Sequence, residues 1–146
     1  MLVSIWFLAL FHSKPRVTQD QTERYLAALR NPDIHVLAHP RGRRFNVRLG
    51  LRADWPRVFA EAAEHGTAME IDAYPDRQDL NVGLLEIARE AEVTISIGTD
   101  AHSEPELRFM EFGLAAAARA GIPPERILNF LSRDDLLSWV ESKRRR

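Results

Sequence analysis

One stretch of the chain indicates how the rest is built: Val93-Thr94-Ile95-Ser96-Ile97-Gly98-Thr99-Asp100-Ala101-His102. Its first half alternates β-branched residues with apolar or small ones, a pattern that is typical of a short buried strand. On an extended backbone Asp100 and His102 point to the same side, so we expect them to converge where the strand ends. Ser103 and Glu106 then form a capping-box sequence. The stretch therefore predicts a strand, a turn with two metal-binding side chains, and a helix.

Three earlier apolar runs end in the same kind of residue. Residues 2–10 are followed by His12, residues 34–38 by His39, and residues 67–73 include Glu70 and Asp72 near their end. Successive ends lie roughly 30 residues apart, which is the length of one strand-helix unit. Parallel strands built from such units place their carboxyl ends at one rim. The sequence thus predicts an α/β fold with about four parallel strand-helix units followed by C-terminal helices.

Cap and breaker residues predict where the helices lie. We expect helices that begin near Thr18, Asp54, Leu80, Ser103 and Ser132. The proline at position 40 predicts an extended backbone at the residue before it, His39. Two further histidines, His35 within a strand and His65 at a helix end, are interpreted as structural.

Composition narrows the possible functions. The 146 residues predict a single domain, 1–146, and the net charge of −1 gives no overall attraction to nucleic acid or membrane. Cysteine is absent, so any metal ligands must be His, Asp or Glu, which fits a cytoplasmic protein. The apolar residues 1–11 lack a basic leader and are too short to span a bilayer. They are interpreted as a buried strand rather than a signal peptide or membrane anchor.

The strand-end residues have ordinary explanations when each is taken alone. A single histidine is often a hydrogen-bonded structural residue, and an aspartate before a helix is often a cap. Four strand ends with imidazole or carboxylate groups together favour a metal site. The candidate metal ligands are His12, His39, Asp100 and His102.

Four segments resemble the second half of the polymerase and histidinol phosphatase (PHP) domain, in the variant attached to bacterial X-family DNA polymerases. These segments are Phe11-His12-Ser13-Lys14, Ile34-His35-Val36-Leu37-Ala38-His39-Pro40-Arg41-Gly42-Arg43, Met69-Glu70-Ile71-Asp72-Ala73-Tyr74-Pro75-Asp76-Arg77-Gln78-Asp79-Leu80 and Gly98-Thr99-Asp100-Ala101-His102-Ser103. The resemblance extends over nearly the whole chain. It implies a distorted, seven-stranded (β/α) barrel that hydrolyses phosphate esters with a trinuclear manganese or zinc cluster.

The resemblance also implies roles for individual residues. His12 and His39 would share one metal ion, Asp100 would bind a second, and His102 a third. Arg43 would lie near the substrate phosphate, and Glu70 would be a hydrogen-bonding residue of the rim that contacts substrate. In the polymerase-linked form the implied activity is a 3′-5′ exonuclease or DNA-end repair reaction, with a DNA strand or its 3′ end as partner.

The chain departs from the family pattern in two ways. Asp72 stands where the family usually has Asn, and the family's upstream His-x-His pair and bridging Glu have no match. We therefore expect the C-terminal part of a PHP domain with an incomplete trinuclear site that binds metal weakly. A complementing N-terminal PHP half or a polymerase module is the expected protein partner.

Other functions stay open at this point. The chain fits a non-catalytic remnant that binds DNA or a partner, a histidinol-phosphatase-like enzyme for small molecules, or, remotely, a zinc amidohydrolase. The arginines at positions 41, 43, 44, 48 and 52 either follow a nucleic-acid backbone or form a solvated loop.

Overall fold

The computed structural model describes residues 8–10, in their backbone only, and residues 19–143 with their side chains. Four short strands form one sheet in which every neighbouring pair is parallel, in the order β1-β2-β3-β4. Helices connect successive strands, so the predicted α/β class is confirmed. The elements are β1 (Leu8–Leu10), α1 (Thr22–Leu29), β2 (Val36–Ala38), α2 (Trp55–Glu64), β3 (Ala68–Asp72), α3 (Val82–Glu90), β4 (Ile95–Gly98), α4 (Met110–Arg119) and α5 (Arg133–Lys143), with 3-10 helices at Glu104–Phe109, Pro124–Arg126 and Leu128–Phe130.

Strand β3 shows how the sheet separates its two faces. Met69 and Ile71 pack into the main hydrophobic core with side chains of α1, α2 and α3. Ala68 belongs instead to a second cluster, in which Trp139 of α5 packs against it. Because side chains alternate along a strand, Glu70 and Asp72 share the face of Ala68. The carboxylates of β3 therefore lie on the sheet face opposite the main core.

The outer edge of β4 is closed by a side chain from a distant segment. The Ile97 backbone N–H donates to Asn129 Oδ1 at 2.8 Å, and Asn129 Nδ2 donates to the Ile97 carbonyl at 3.0 Å. An unpaired strand edge exposes backbone groups that attract other strands. Asn129 satisfies one donor and one acceptor of this edge.

Helix α4 approaches the sheet closely because it carries a glycine at the contact. A Cβ at Gly113 would lie 2.4 Å from Ile97 Cγ2 and 3.0 Å from the Ala73 Cβ. No side chain fits into that gap without moving the helix or the strand. Gly113 thus fixes the distance between α4 and the strands that end at the candidate site.

Two helix starts differ from the prediction. Thr18 lies outside the described residues, and α1 begins at Thr22, whose backbone N–H donates to Asp20 Oδ1 at 2.9 Å. After Ser103 the chain forms a 3-10 helix before α4, and Ser103 makes no capping hydrogen bond. Glu106 Oε2 instead accepts a hydrogen bond from the backbone N–H of His102 at 2.7 Å. The predicted cap at Asp54 is confirmed, since its side chain accepts a hydrogen bond from the Arg57 backbone N–H.

Among the helices formed by the described residues, none combines the length and the apolar character that a membrane crossing requires.

Candidate metal centre

Three side chains from three strand ends meet at the carboxyl edge of the sheet. His39 follows β2, Asp72 is the last residue of β3, and Asp100 follows β4 by two residues. Each offers one ligand atom, and these atoms all lie within 4.8 Å of one another. We call His39, Asp72 and Asp100 the rim cluster. Its position agrees with the general rule that parallel α/β sheets bind ligands beyond the carboxyl ends of their strands.

His39 is the centre of the rim cluster. Its Nδ1 atom lies 3.1 Å from Asp72 Oδ2 and 3.1 Å from Glu70 Oε2, and its Nε2 atom lies 3.7 Å from Asp100 Oδ1. The backbone N–H of His39 also donates to Glu70 Oε2, at 2.8 Å. One imidazole ring is thus surrounded by three carboxylates.

The backbone at two cluster residues is left-handed. His39 has a φ of 46° and Asp100 a φ of 49°. The predictions of an extended backbone at both residues are therefore wrong. A conformation of this kind costs on the order of 1–3 kcal/mol in a non-glycine residue and persists only where surrounding contacts hold it. At His39 one such contact is the hydrogen bond to Glu70.

The carboxylates change the titration of the His39 ring. The Asp72 carboxylate, followed by that of Glu70, raises the pKa of His39 from 6.5 to about 10 despite its partial burial. A cation is therefore strongly favoured at this position. The protonated imidazole ring supplies positive charge that balances these carboxylates.

The donor set fits a divalent metal ion. Asp72 is fully buried, and among the described residues its Oδ2 atom accepts no hydrogen bond of regular geometry, although His39 Nδ1 lies close. A buried carboxylate oxygen without such a bond is costly unless a cation compensates it. Imidazole nitrogen and carboxylate oxygen are the ligands that zinc and manganese take in sites without cysteine. His39, Asp72 and Asp100 are the residues that would hold such an ion.

Arg77 contacts the rim cluster from the side. Its Nη2 atom lies 3.0 Å from Asp100 Oδ2, while the other oxygen of Asp100 faces His39. The guanidinium group also lies 5.9 Å from the centre of the Tyr74 ring. Arg77 thereby orients the Asp100 carboxylate and places a positive charge beside the centre. Arg77 belongs to the motif Pro75-Asp76-Arg77-Gln78-Asp79-Leu80, but the motif alone predicted no role for it.

Asp79 is a second residue whose role the sequence reasoning missed. Its backbone pairs with that of Asp72 in a bridge, and its Oδ2 atom accepts a hydrogen bond from the Arg41 backbone N–H at 2.8 Å. Burial raises the pKa of the Asp79 carboxyl from 3.8 to about 6. Asp79 therefore holds the residues 41 and 72 in place behind the rim cluster. The signal in the sequence that could have indicated a role for Asp79 is its place in the Pro75-Asp76-Arg77-Gln78-Asp79-Leu80 motif.

The other predicted ligands are placed differently. His12 lies outside the described residues. His102 is exposed and is not part of the rim cluster; its Nδ1 atom lies 2.6 Å from the backbone carbonyl oxygen of Asp100. The turn at Asp100 prevents the side-by-side arrangement that an extended chain would give. The roles of His12 and His102 as ligands stay predictions.

Arginines of the basic loop after β2 bind this loop to the turn after β3. Arg43 donates to the backbone carbonyls of Arg77 and Gln78, each at 2.8 Å, and lies 4.6 Å from the Phe45 ring centre. Arg44 pairs with Asp76 at 2.6 Å. These contacts connect the loop to the turn that contains Arg77. They give the loop a structural function, and the substrate role of Arg43 stays a prediction.

Glu70 occupies the position expected of a hydrogen-bonding rim residue. Its carboxylate contacts the His39 backbone and ring, and it lies so close to Gly98 that a Cβ there would be 2.3 Å from Glu70 Oε1. The glycine of β4 thus makes room for the carboxylate of β3. The contact of Glu70 with substrate remains a prediction.

Comparison with known proteins identifies relatives that share most of this chain. The DNA polymerase/3'-5' exonuclease PolX of Bacillus subtilis (strain 168) is 34% identical over 119 residues, which are 82% of this chain and 21% of that protein. The probable phosphatase YcdX of Escherichia coli O81 (strain ED1a) is 26% identical over 145 residues, covering 93% of this chain and 56% of the relative. Both are PHP-containing proteins. This chain is a PHP-like domain related to the X-family polymerases.

A third relative also matches most of this chain. The probable phosphatase of Syntrophotalea carbinolica is 28% identical over an alignment of 132 residues that covers 84% of this chain and 52% of that protein. The PHP-like domain therefore spans about half the length of these phosphatases and about a fifth of the polymerase. No family model matches the chain.

Proposed function

We propose that this PHP-like domain forms part of a metal-dependent phosphoesterase that processes the 3′ ends of DNA strands. The observation that supports the proposal most directly is the rim cluster, in which one imidazole and two carboxylates converge at the carboxyl edge of a parallel sheet. The similarity to a polymerase with 3'-5' exonuclease activity favours DNA as the substrate. Manganese or zinc is the proposed metal.

The chemistry follows from the groups that surround the rim cluster. A bound divalent ion would lower the pKa of a water molecule and neutralise charge on the phosphate. His39, Asp72 and Asp100 would hold the ion, and Glu70 fixes the His39 ring through its backbone and Nδ1 contacts. Arg77 supplies a positive charge where negative charge develops on the phosphate oxygens. His39 must lose its proton before it can act as a ligand.

We also propose that the rim cluster is one part of a larger, trinuclear centre. Two carboxylates and one imidazole are few ligands for closely spaced ions, which need bridging groups between them. His12 and His102 are the proposed further ligands from this chain, with additional ligands supplied by residues outside these 146. In this proposal residues 1–146 form the C-terminal part of one domain, and the sheet continues into a seven-stranded barrel.

A second candidate function has its own support. The phosphatase relatives match a larger share of their length than the polymerase does. A small phosphate monoester is therefore the alternative substrate, and it would use the same rim cluster. A non-catalytic module that binds DNA is the third possibility. In that case we expect no hydrolysis by the wild type and no change when a residue of the rim cluster is replaced.

Metal titration tests the proposal. The purified chain should bind Mn2+ or Zn2+ weakly, and His39→Ala should abolish the binding. His65→Ala is the matched control, because that ring pairs with Glu61 and is not part of the rim cluster. Equal metal binding by the wild type and by His39→Ala would refute the assignment of the centre.

Hydrolysis assays separate the three candidate functions. Mn2+-dependent release of nucleotides from single-stranded DNA supports the exonuclease, and preferential hydrolysis of p-nitrophenyl phosphate supports the small-molecule phosphatase. We expect low rates for the isolated chain, because further ligands are missing. Rapid nucleotide release that is lost in His39→Ala would show that the ligands in this chain are sufficient.

A further inference from the structure

Three aromatic rings lead away from the rim cluster along the surface. The Tyr74 and Phe109 rings meet edge to face with their centres 5.2 Å apart, and the Phe109 and Phe112 ring centres are 5.9 Å apart. We call Tyr74, Phe109 and Phe112 the aromatic row. It joins the turn after β3 to the start of α4, two segments that are far apart in sequence.

The outer end of the aromatic row is exposed. Phe112 has 45% of its surface accessible. Gly113, the next residue of α4, faces the sheet and is buried, so Phe112 points away from the core. An exposed aromatic ring on a helix whose opposite side is firmly packed is available to a ligand without any rearrangement of the fold.

The inner end of the aromatic row reaches the rim cluster through Arg77. The guanidinium group lies 5.9 Å from the Tyr74 ring centre and 3.0 Å from Asp100. The surface therefore presents, in order, carboxylates that can hold a metal ion, a cation, and aromatic rings. Single-stranded nucleic acids are commonly bound by positive groups at the phosphates and by aromatic rings that stack on the bases.

We propose that the aromatic row is a binding site for a base of a single-stranded nucleic acid whose phosphate lies at the rim cluster. This inference rests on the proposed phosphoesterase function and adds a subsite for one base of the substrate to it. Phe112 is the ring that stacks on the base, and Phe109 and Tyr74 support it. Arg77 lies between the base site and the phosphate site.

The charges around the aromatic row favour a base over other occupants. Glu106 Oε1 lies 3.5 Å from the Tyr74 hydroxyl, and Glu104 and Glu111 are exposed residues of the same helical segments as Phe109 and Phe112, so acidic groups repel phosphates from this surface. The uncharged base is then the part of a nucleotide that faces the rings, while the phosphate lies toward Arg77. A second copy of this chain would bring the same acidic groups against each other, which disfavours self-association here.

Binding of paired ligands tests the inference. A short fluorescein-labelled oligothymidylate and an abasic strand of the same length carry the same phosphates, and only the first has bases. Both strands carry phosphorothioate linkages, which slow hydrolysis, so fluorescence anisotropy measures their binding with Mn2+ present. We expect the wild type to bind oligothymidylate more tightly, and Phe112→Leu to weaken that binding by about 5-fold or more without affecting the abasic strand, since stacking on one base contributes roughly 1–3 kcal/mol.

Two variants separate stacking from loss of structure. Phe112→Trp keeps an aromatic ring, so it should retain the preference for bases, and its fluorescence should be quenched by the oligonucleotide. Phe130→Leu is the matched control, because Phe130 has 55% of its surface exposed and lies on a different 3-10 helix outside the row. This control should bind both strands as the wild type does.

Several results would overturn the inference. They are equal binding of the two strands by the wild type, no loss of oligothymidylate binding in Phe112→Leu, or a wild-type dimer that Phe112→Leu converts to a monomer. The proposed function is judged separately, by metal binding and by hydrolysis in the His39→Ala series. A base-dependent interaction, together with equal metal binding by the wild type and by His39→Ala, would support the aromatic row while contradicting the proposed metal centre.

Discussion

Replacing Asp72 by Asn tests the electrostatics of the rim cluster directly. The substitution keeps the size and shape of a side chain that is completely buried, and it removes one negative charge 3.1 Å from His39 Nδ1. The His39 ring should then lose its proton more easily.

The magnitude follows from the raised pKa of His39 in the wild type. The gap between 6.5 and about 10 for the His39 pKa corresponds to about 5 kcal/mol of preference for the protonated ring. The Asp72 carboxylate is its largest cause, and loss of a neighbouring opposite charge changes a pKa by roughly 1–3 units. The His39 pKa should fall by that amount in Asp72→Asn and stay above 6.5, because the Glu70 carboxylate remains.

Nuclear magnetic resonance titration of the histidine ring protons, in EDTA, measures this change. The His39 signal is assigned by its absence in His39→Ala. Asp76→Asn is the matched control, since Asp76 lies in the turn after β3, pairs with Arg44 and Arg77, and is not among the main causes of the raised His39 pKa. A His39 pKa that is equal in the wild type and in Asp72→Asn would refute the described charge arrangement.

Three other perturbations have defined outcomes. Gly98→Ala places a Cβ 2.3 Å from Glu70 Oε1, so it should lower the free energy of unfolding, measured by urea titration, by about 1–3 kcal/mol. Gly83→Ala is the control and should not lower it, because its Cβ meets nothing closer than 3.8 Å. The pKa of Asp79 is about 6 in the folded chain and 3.8 in the unfolded chain, so its contribution to stability is complete below pH 3.8 and is lost as the pH rises through 6. Relative to Asp79→Asn, the free energy of unfolding of the wild type should fall by on the order of 3 kcal/mol between pH 4 and pH 7. Parallel pH profiles of the two proteins would contradict this. Asn129→Ala leaves the Ile97 backbone groups unpaired and should cost about 1–3 kcal/mol, with faster amide exchange at Ile97; unchanged exchange would show that the strand edge does not depend on this side chain.

The order of strands and helices was readable from the sequence. Apolar alternation between 93 and 98 and the cap at Asp54 are local signals, and both β4 and α2 form where these signals place them. The placement of His39 and Asp100 after strand ends follows from the same periodicity. Local patterns succeed here because hydrophobic spacing and capping depend on residues that are near each other in the chain.

The geometry of the candidate site depended on contacts between segments that are distant in sequence. The left-handed backbone at His39 is accompanied by a hydrogen bond to Glu70, thirty-one positions away, and Asp100 is oriented by Arg77. Asp72 joins the cluster because β3 pairs with strands on both sides. None of these three contacts is indicated by a repeating pattern of residues along the chain.

The sequence by itself therefore determined an α/β chain whose strands end in side chains of the types that can bind a metal ion, since that information lies in spacing and residue type. Only the tertiary structure decided that Asp72 rather than His102 lies with His39 and Asp100, and that Arg77 joins this cluster to the aromatic row. The physical reason is that a turn of the backbone redirects a side chain by several ångströms, and long-range packing and charge select that turn.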